Sequence, residues 1–372
     1  MKSILTVATA LGAAALLAAA VSATATQQEP TLRREAGALV RTGVPGVVVL
    51  AKTPGSTTRV AAGIDRAAPR RPMLASDRFR IGSITKTFVS ALVLRLVEDG
   101  RVSLDDTVGH WLPSLVPNGD TVTVRQLLQH TSGLFDYAAD PATFMPFATD
   151  PGHAWLPHEL VAIANGHAPS FAPGQGWGYS NTNYVLLGLI VEKVAGTPVG
   201  TQLAGRIFRP LGLWATTFDT DGRFSSRSAE GRSSRLAHGY SVLERQTFDA
   251  SDLNPSWSYA AGAITSTADD VATFYSALMS GKLVRTEALE AMKAALPLSP
   301  TRGYGLGLSR SKTSCGWFWG HDGGTFGYTS NVLVSGNGKR VAVVLVNRGP
   351  LTAPQHAAFD RLATHAACGK RS

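Results

Sequence analysis

Ser83 and Lys86 are the first residues in this chain whose types and spacing can do chemistry together. In Ser83-Ile84-Thr85-Lys86 the serine hydroxyl is a latent nucleophile, and a lysine three residues on lies on the same helix face one turn away. A helix N-terminus at this point favours negative charge developing on the serine. Desolvation near other cations lowers an amine pKa until the amine can accept the serine proton. The pattern recurs at Ser309-Arg310-Ser311-Lys312, in a strand-to-turn segment whose alternation offers no such geometry. Ser-x-x-Lys alone is a weak signal, so its position at the start of a buried helix carries more weight than the pattern.

Two further clusters qualify. Tyr179-Ser180-Asn181 follows the glycine-rich run Pro173-Gly174-Gln175-Gly176-Trp177-Gly178 and precedes an apolar helical stretch. A phenol held near a lysine can pass protons between nucleophile and leaving group, and Asn181 can hold a substrate amide. Alone, the same residues read as a helix cap. His321-Asp322-Gly323-Gly324 falls on a late strand after Trp319-Gly320. Its edge backbone can hydrogen-bond an extended substrate, and the Gly324 N–H can pair with that of Ser83 as an oxyanion hole. Alone, it reads as a glycine-rich strand end with a structural histidine. The sequence has no G-x-S-x-G, H-E-x-x-H, P-loop or G-x-G-x-x-G, and none of its nine histidines is paired at metal-ligand spacing near a carboxylate or cysteine. Neither metal nor nucleotide chemistry is indicated, and no cofactor is expected.

The elements that must position these groups follow from periodicity. Val44 to Lys52 reads as a buried strand, Thr57 to Ile64 as its hairpin partner and Pro54-Gly55 as the turn, after a polar linker at about Gln27 to Glu35. Arg78 to Ile81 is a short extended piece. Thr85 to Glu98 is a helix apolar nearly all round, ended by Gly100. Short helices and Pro/Gly-rich loops follow, with helices at Val124 to Gln129, Pro157 to Ala164, Tyr184 to Ala195 and Pro198 to Phe208. Asp219 to Arg235 is a Ser/Arg/Gly loop by composition. A helix from Ala268 to Met279 is capped by Thr267. Strands at Tyr304 to Leu308, Trp317 to Gly320, Tyr328 to Val334 and Val341 to Val346 close the chain, with a final helix from Ala353 to Ala367. The fold class is α/β in the broad, α+β sense: an antiparallel sheet flanked by helices, with an inserted all-helical subdomain. The expected boundaries are 36–104 and 236–372 for the sheet part and 105–235 for the insertion.

The 372 residues are 44% apolar and 16% charged, enough for a large core, which excludes disorder as the main state. The net charge of +9 comes from scattered Lys and Arg without a basic run or zinc-finger spacing, so nucleic-acid binding is not expected. A basic surface suits anionic polymers such as a cell wall. Residues 1–25 combine Lys2, an apolar stretch from Ile4 to Val21 and the small-residue end Ala23-Thr24-Ala25, which reads as a cleaved secretory signal rather than a retained anchor. Cys315 and Cys368 are the two cysteines. Export places them where disulfides form, so they are expected to be bridged rather than free. Closing the 52 residues between them contributes about 4 kcal/mol in the chain-entropy picture.

Together, Ser-x-x-Lys at the head of a buried helix, Tyr-Ser-Asn about 95 residues later and His-x-Gly on a late strand resemble the serine β-lactamase and penicillin-binding protein superfamily. The resemblance covers about Arg41 to Asn347. It is nearest to class C β-lactamases and secreted actinomycete-type D-alanyl-D-alanine carboxypeptidases. Leu128-Gln129-His130-Thr131-Ser132-Gly133-Leu134, Tyr304-Gly305-Leu306-Gly307-Leu308 and a cysteine shortly before the His motif, with a partner near the C-terminus, are further likenesses. The resemblance implies Ser83 as acylated nucleophile, Lys86 and Tyr179 as coupled base and acid, Asn181 as amide-binding group, and His321 as an electrostatic or proton-relay group beside Tyr179. It also implies the Ser83 and Gly324 amides, with Gly323, at the oxyanion and substrate edge. Asp322 departs from the carboxypeptidase pattern, which carries Thr there and a nearby Arg for the substrate carboxylate. A carboxylate at Asp322 repels another at close range. Arg310 can still reach the site, but a one-residue change of register points it away. The expected function is a monomeric, exported D-alanyl-D-alanine carboxypeptidase or D-peptidase. The alternatives are a β-lactamase, or an esterase or D-aminopeptidase of the same fold. Its substrates are then a peptidoglycan-like D-peptide, a β-lactam or a small ester. A non-catalytic peptidoglycan-binding module is disfavoured, because binding alone needs neither nucleophile nor base.

Overall fold

The structure is a computed structural model and describes residues 28–220 and 235–369. The segment read as a secretory signal, and residues 221–234 of the Ser/Arg/Gly loop, lie outside the described residues.

Nine strands form the main sheet: β1 (Gly46–Thr53), β2 (Ser56–Arg66), β3 (Arg71–Pro72), β4 (Leu296–Ser299), β5 (Arg302–Tyr304), β6 (Ser309–Thr313), β7 (Gly316–Thr325), β8 (Tyr328–Val334) and β9 (Val341–Val346). Their spatial order is β3-β2-β1-β9-β8-β7-β6-β5-β4. The first strands of the chain and the last therefore share one antiparallel sheet, with Val47 opposite Val346 and Val49 opposite Val344. Because a strand's side chains alternate, Val47, Val49 and Val344 enter one core while Val48, Leu50 and Val343 enter the other.

Among the described residues the five longest helices are α1 (residues 28–41), α2 (Thr85–Glu98), α3 (Asn181–Ala195), α4 (Ala268–Met279) and α5 (Ala353–Cys368). On one face of the sheet the core draws on α1 and α5, and on the other on α2, α3 and α4. Helix α2 has the bounds the sequence predicts, and Gly100 follows its end at φ +68°. Thr267 caps α4 by accepting from the Asp270 amide. Cys315 and Cys368 form a disulfide that ties the β6–β7 turn to the end of α5.

Three local expectations are corrected. The polar linker at Gln27 to Glu35 is largely helical: Leu32, Ala36 and Leu39 are fully buried at helical spacing, and the charged residues between them mask that stripe. The strand expected at Tyr304 to Leu308 ends at Tyr304, because Gly307 at φ +68° turns the chain back towards α2. The Leu-Pro-Leu-Ser segment of β4 is an additional strand, and its proline is tolerated because it lies at the sheet edge. Among the described residues, no single helix is long and apolar enough to cross a membrane.

Candidate active site

Ser83 sits in a 3₁₀ turn, Gly82–Ile84, that leads into α2. Gly82 holds φ +51°, and a Cβ there would lie 2.9 Å from the Gly324 carbonyl oxygen and 3.0 Å from its nitrogen. Only glycine lets the turn and strand β7 meet this closely. Gly323 serves the same seam, since a Cβ on it would lie 2.2 Å from the Ile81 carbonyl oxygen. The β6 ladder ends at the Ser309–Gly320 pair, so β7 from His321 to Thr325 has β8 on one side and an open edge on the other. Ser83, Tyr179, His321, Asp322 and Gly324 all line one cavity of about 520 Å³ along that edge.

Lys86 is fully buried, and its Nζ lies 3.0 Å from Ser83 Oγ, 2.7 Å from Asn181 Oδ1 and 2.9 Å from the Ala261 carbonyl oxygen. An ammonium donates to all three. The neutral amine donates to two and accepts the third bond from the Ser83 hydroxyl. Burial pushes the Lys86 pKa down to about 7, against the pull of the Asp136 and Asp322 carboxylates, so the neutral form is accessible near neutrality. The half-buried Tyr179 has its ring centroid 4.8 Å from Nζ and its hydroxyl bonded to the Ser83 side chain. Burial holds this phenol well above its ordinary range, so it keeps its proton. The cluster thus offers a nucleophile, an amine that can take its proton and a phenol that can give one.

Asn181 connects this cluster to a residue that sequence reasoning missed. Asp136 accepts from the Asn181 backbone N–H at 3.0 Å and from its side-chain Nδ2 at 3.1 Å to each carboxylate oxygen. That orientation turns Asn181 Oδ1 onto Lys86. Both ends of the amide are thereby engaged within the protein, and Asn181 is not among the cavity-lining residues, in contrast to the substrate-amide role expected of it. No local pattern marks Asp136, which lies 45 residues from its partner.

His321 is buried, and its Nδ1 lies 2.5 Å from its neighbour's carbonyl oxygen. A carbonyl only accepts, so Nδ1 carries the proton and Nε2 accepts from the Tyr304 hydroxyl at 2.9 Å. Burial lowers the His321 pKa to about 4, leaving the ring neutral. Its ring centroid lies 6.4 Å from that of Tyr179, while its hydrogen bond goes to Tyr304. Tyr304 is thus a second missed site residue, although the motif it opens is visible in the sequence.

The family model for beta-lactamase matches residues 22–367. The chain belongs to the beta-lactamase family. A solved D-stereospecific amidohydrolase from a Streptomyces species is 37% identical, with a TM-score of 0.81 over 92% of this chain and 99% of that one. Penicillin-binding protein 4* of Bacillus subtilis is 27% identical over 75% of this chain, and esterase EstB of Burkholderia gladioli is 35% identical over 46% of it. The chain spans 62% and 46% of the lengths of these two relatives. The fold is that of the β-lactamases and penicillin-binding proteins.

The cavity of this beta-lactamase-family protein differs from expectation at Arg310. In the β6–β7 register Arg310 lies opposite Trp319, and its guanidinium stacks 4.2 Å from the Trp317 ring and 5.6 Å from the Trp319 ring, outside the cavity lining. The cation at the cavity is instead Arg302 on β5, 4.0 Å from the Asp322 carboxylate. Asp322 itself is 60% exposed and lines the cavity mouth. Trp177, Leu298 and Tyr304 supply apolar wall. In the second Ser-x-x-Lys, Ser309 pairs with Gly320 and Lys312 with Trp317, so the β6 ladder carries both.

Proposed function

We propose that this chain is an exported hydrolase of D-aminoacyl amides, acting through an ester on Ser83. Lys86 takes the Ser83 proton as Oγ bonds to the carbonyl carbon, and the Ser83 and Gly324 amides receive the oxyanion. Tyr179 then gives its proton to the departing nitrogen as the C–N bond breaks, and Lys86 returns a proton to the phenol. Water hydrolyses the ester by the reverse sequence of transfers and restores the Ser83 hydroxyl.

The observation that carries the substrate reading is Asp322. Its carboxylate stands at the mouth of the cavity, two residues from Gly324, where it attracts an α-ammonium group and repels a terminal carboxylate. The 37% likeness to a D-stereospecific amidohydrolase, spanning nearly all of both chains, supports the same class. Export is supported by the apolar N-terminal segment and by the Cys315–Cys368 disulfide. A D-alanyl-D-alanine carboxypeptidase is the second reading, favoured by Arg302, whose guanidinium lines the same cavity and can hold a carboxylate.

Comparing kcat/KM for D-alaninamide, L-alaninamide, N-acetyl-D-alaninamide and a diacylated peptide ending in D-Ala-D-Ala separates these readings. The D-amide with a free amine is expected to lead the L-amide, and to lead the acetylated amide by about two- to fivefold, the scale of one solvent-exposed charge contact. Asp322→Asn is expected to remove the lead over the acetylated amide. Faster release of D-alanine from the carboxyl-terminal peptide would instead establish the carboxypeptidase.

A further inference from the structure

His130 takes no part in the chemistry above, yet it is fully buried against the residue that gives the proton. It ends the helix Val124–Gln129 in the left-handed conformation, at φ +62°, where glycine or asparagine is the usual choice. Its imidazole Nε2 is buried without a hydrogen-bond partner. Both features cost stability, and such costs gather where a residue is held for function.

The contacts of His130 show what that function is. Its carbonyl oxygen accepts from the Gly178 N–H at 3.0 Å, and its Nδ1 accepts from the Ser180 N–H at 3.2 Å. The amides on either side of Tyr179 therefore end on one residue. The left-handed turn presents that residue's backbone and ring to the same loop. The His130 ring centroid lies 4.3 Å from that of Tyr179, which it backs at a tilt of 35°. Asn183 Nδ2 lies 3.1 Å from the same Nδ1, its amide oriented by the Ser132 hydroxyl, which donates to Asn183 Oδ1 at 2.6 Å. Tyr179 precedes α3 and has no helical ladder of its own, so these bonds are what aim its phenol at Ser83.

We propose that His130 is a positioning residue that clamps Tyr179 so that its phenol meets the leaving group. The proposal rests on the reading of Tyr179 as the proton donor. A misplaced donor matters most when the leaving group is poor, because a good one departs without a proton. The test is kcat/KM, which reports acylation, for phenyl acetate and p-nitrophenyl acetate, two esters with the same acyl group. His130→Phe keeps the ring and loses the acceptor. It is expected to lose about thirtyfold or more on phenyl acetate and less than about fivefold on p-nitrophenyl acetate. His130→Asn places an amide oxygen near the Nδ1 position and tolerates the left-handed turn, so it is expected to recover most of the phenyl acetate rate. Equal losses on the two esters, or none, in a folded His130→Phe protein overturn the proposal. If that variant does not fold, a His130→Asn protein with a selective loss as large as that of Tyr179→Phe does so. Tyr179→Phe also separates the two claims: if it shows no selective loss, the proton-donor reading fails, and if it alone shows one, the clamp fails.

Discussion

Acylation of Ser83 should switch off as the pH falls through about 7, and the reason lies in one buried amine. Lys86 must be unprotonated to take the serine proton, and burial holds its pKa at about 7. His321, lowered to about 4, stays neutral above pH 5, and Tyr179 stays protonated throughout the neutral range, so neither adds a step in this window. The rate therefore follows the neutral fraction of Lys86: about half the plateau at pH 7, roughly a tenth at pH 6 and roughly a hundredth at pH 5. The assay is kcat/KM for p-nitrophenyl acetate, an uncharged ester, between pH 5 and 8.5, with folding checked by circular dichroism at each end. Asp322 works against the lowering of the Lys86 pKa, so Asp322→Asn should carry the whole acid limb to lower pH. Added salt should shrink that displacement, because Asp322 is 60% exposed and screened. A rate that is flat from pH 5 to 8, or a limb that moves upward in Asp322→Asn, would refute the assignment of Lys86 as the base.

Ser83→Ala should lower turnover by about a thousandfold or more and abolish the covalent adduct seen by intact mass, since Ser83 Oγ is the hydroxyl that Lys86 Nζ hydrogen-bonds; a variant with full turnover removes Ser83 from the reaction. Replacing Cys315 and Cys368 together by serine should cost about 4 kcal/mol in urea unfolding, and a change below about 0.5 kcal/mol would show that the bridge constrains little. The His321 pKa is lower in the folded protein than in the unfolded chain, where it is about 6.5. On acidification the unfolded chain takes up that proton first, so the associated stability is intact above pH 6.5 and drains away towards pH 4. This amounts to roughly 3 kcal/mol. Urea midpoints at pH 7 and 4.5 should therefore lie closer together in His321→Gln than in the natural protein, and equal spacing would contradict the linkage.

The parts of the fold legible in the sequence are those that short-range patterns encode. Helix α2 is an apolar run between a turn and Gly100, β8 and β9 alternate or run apolar for six or seven residues, and Thr267 announces α4. The Ser83–Lys86 pairing is equally local, since three residues of helix suffice to bring the groups together. Helix α1 escaped notice because charged residues interrupt its buried stripe, and β4 because proline and exposed leucines do not look like a strand until a neighbour pairs with them.

What the sequence by itself determined is the chemistry on offer: which hydroxyl can serve as a nucleophile, which amine sits a turn away, and which glycines free a strand edge. What only the tertiary structure decided is how those groups are aimed and charged. Asp136 turns the Asn181 amide onto Lys86, Tyr304 donates to His321, His130 brackets Tyr179, and Arg302 rather than Arg310 stands at the cavity. Such pairs join residues that local periodicity cannot relate, some of them 45 to 50 positions apart. Their geometry and the burial that shifts their protons exist only once the sheet and helices have closed around them.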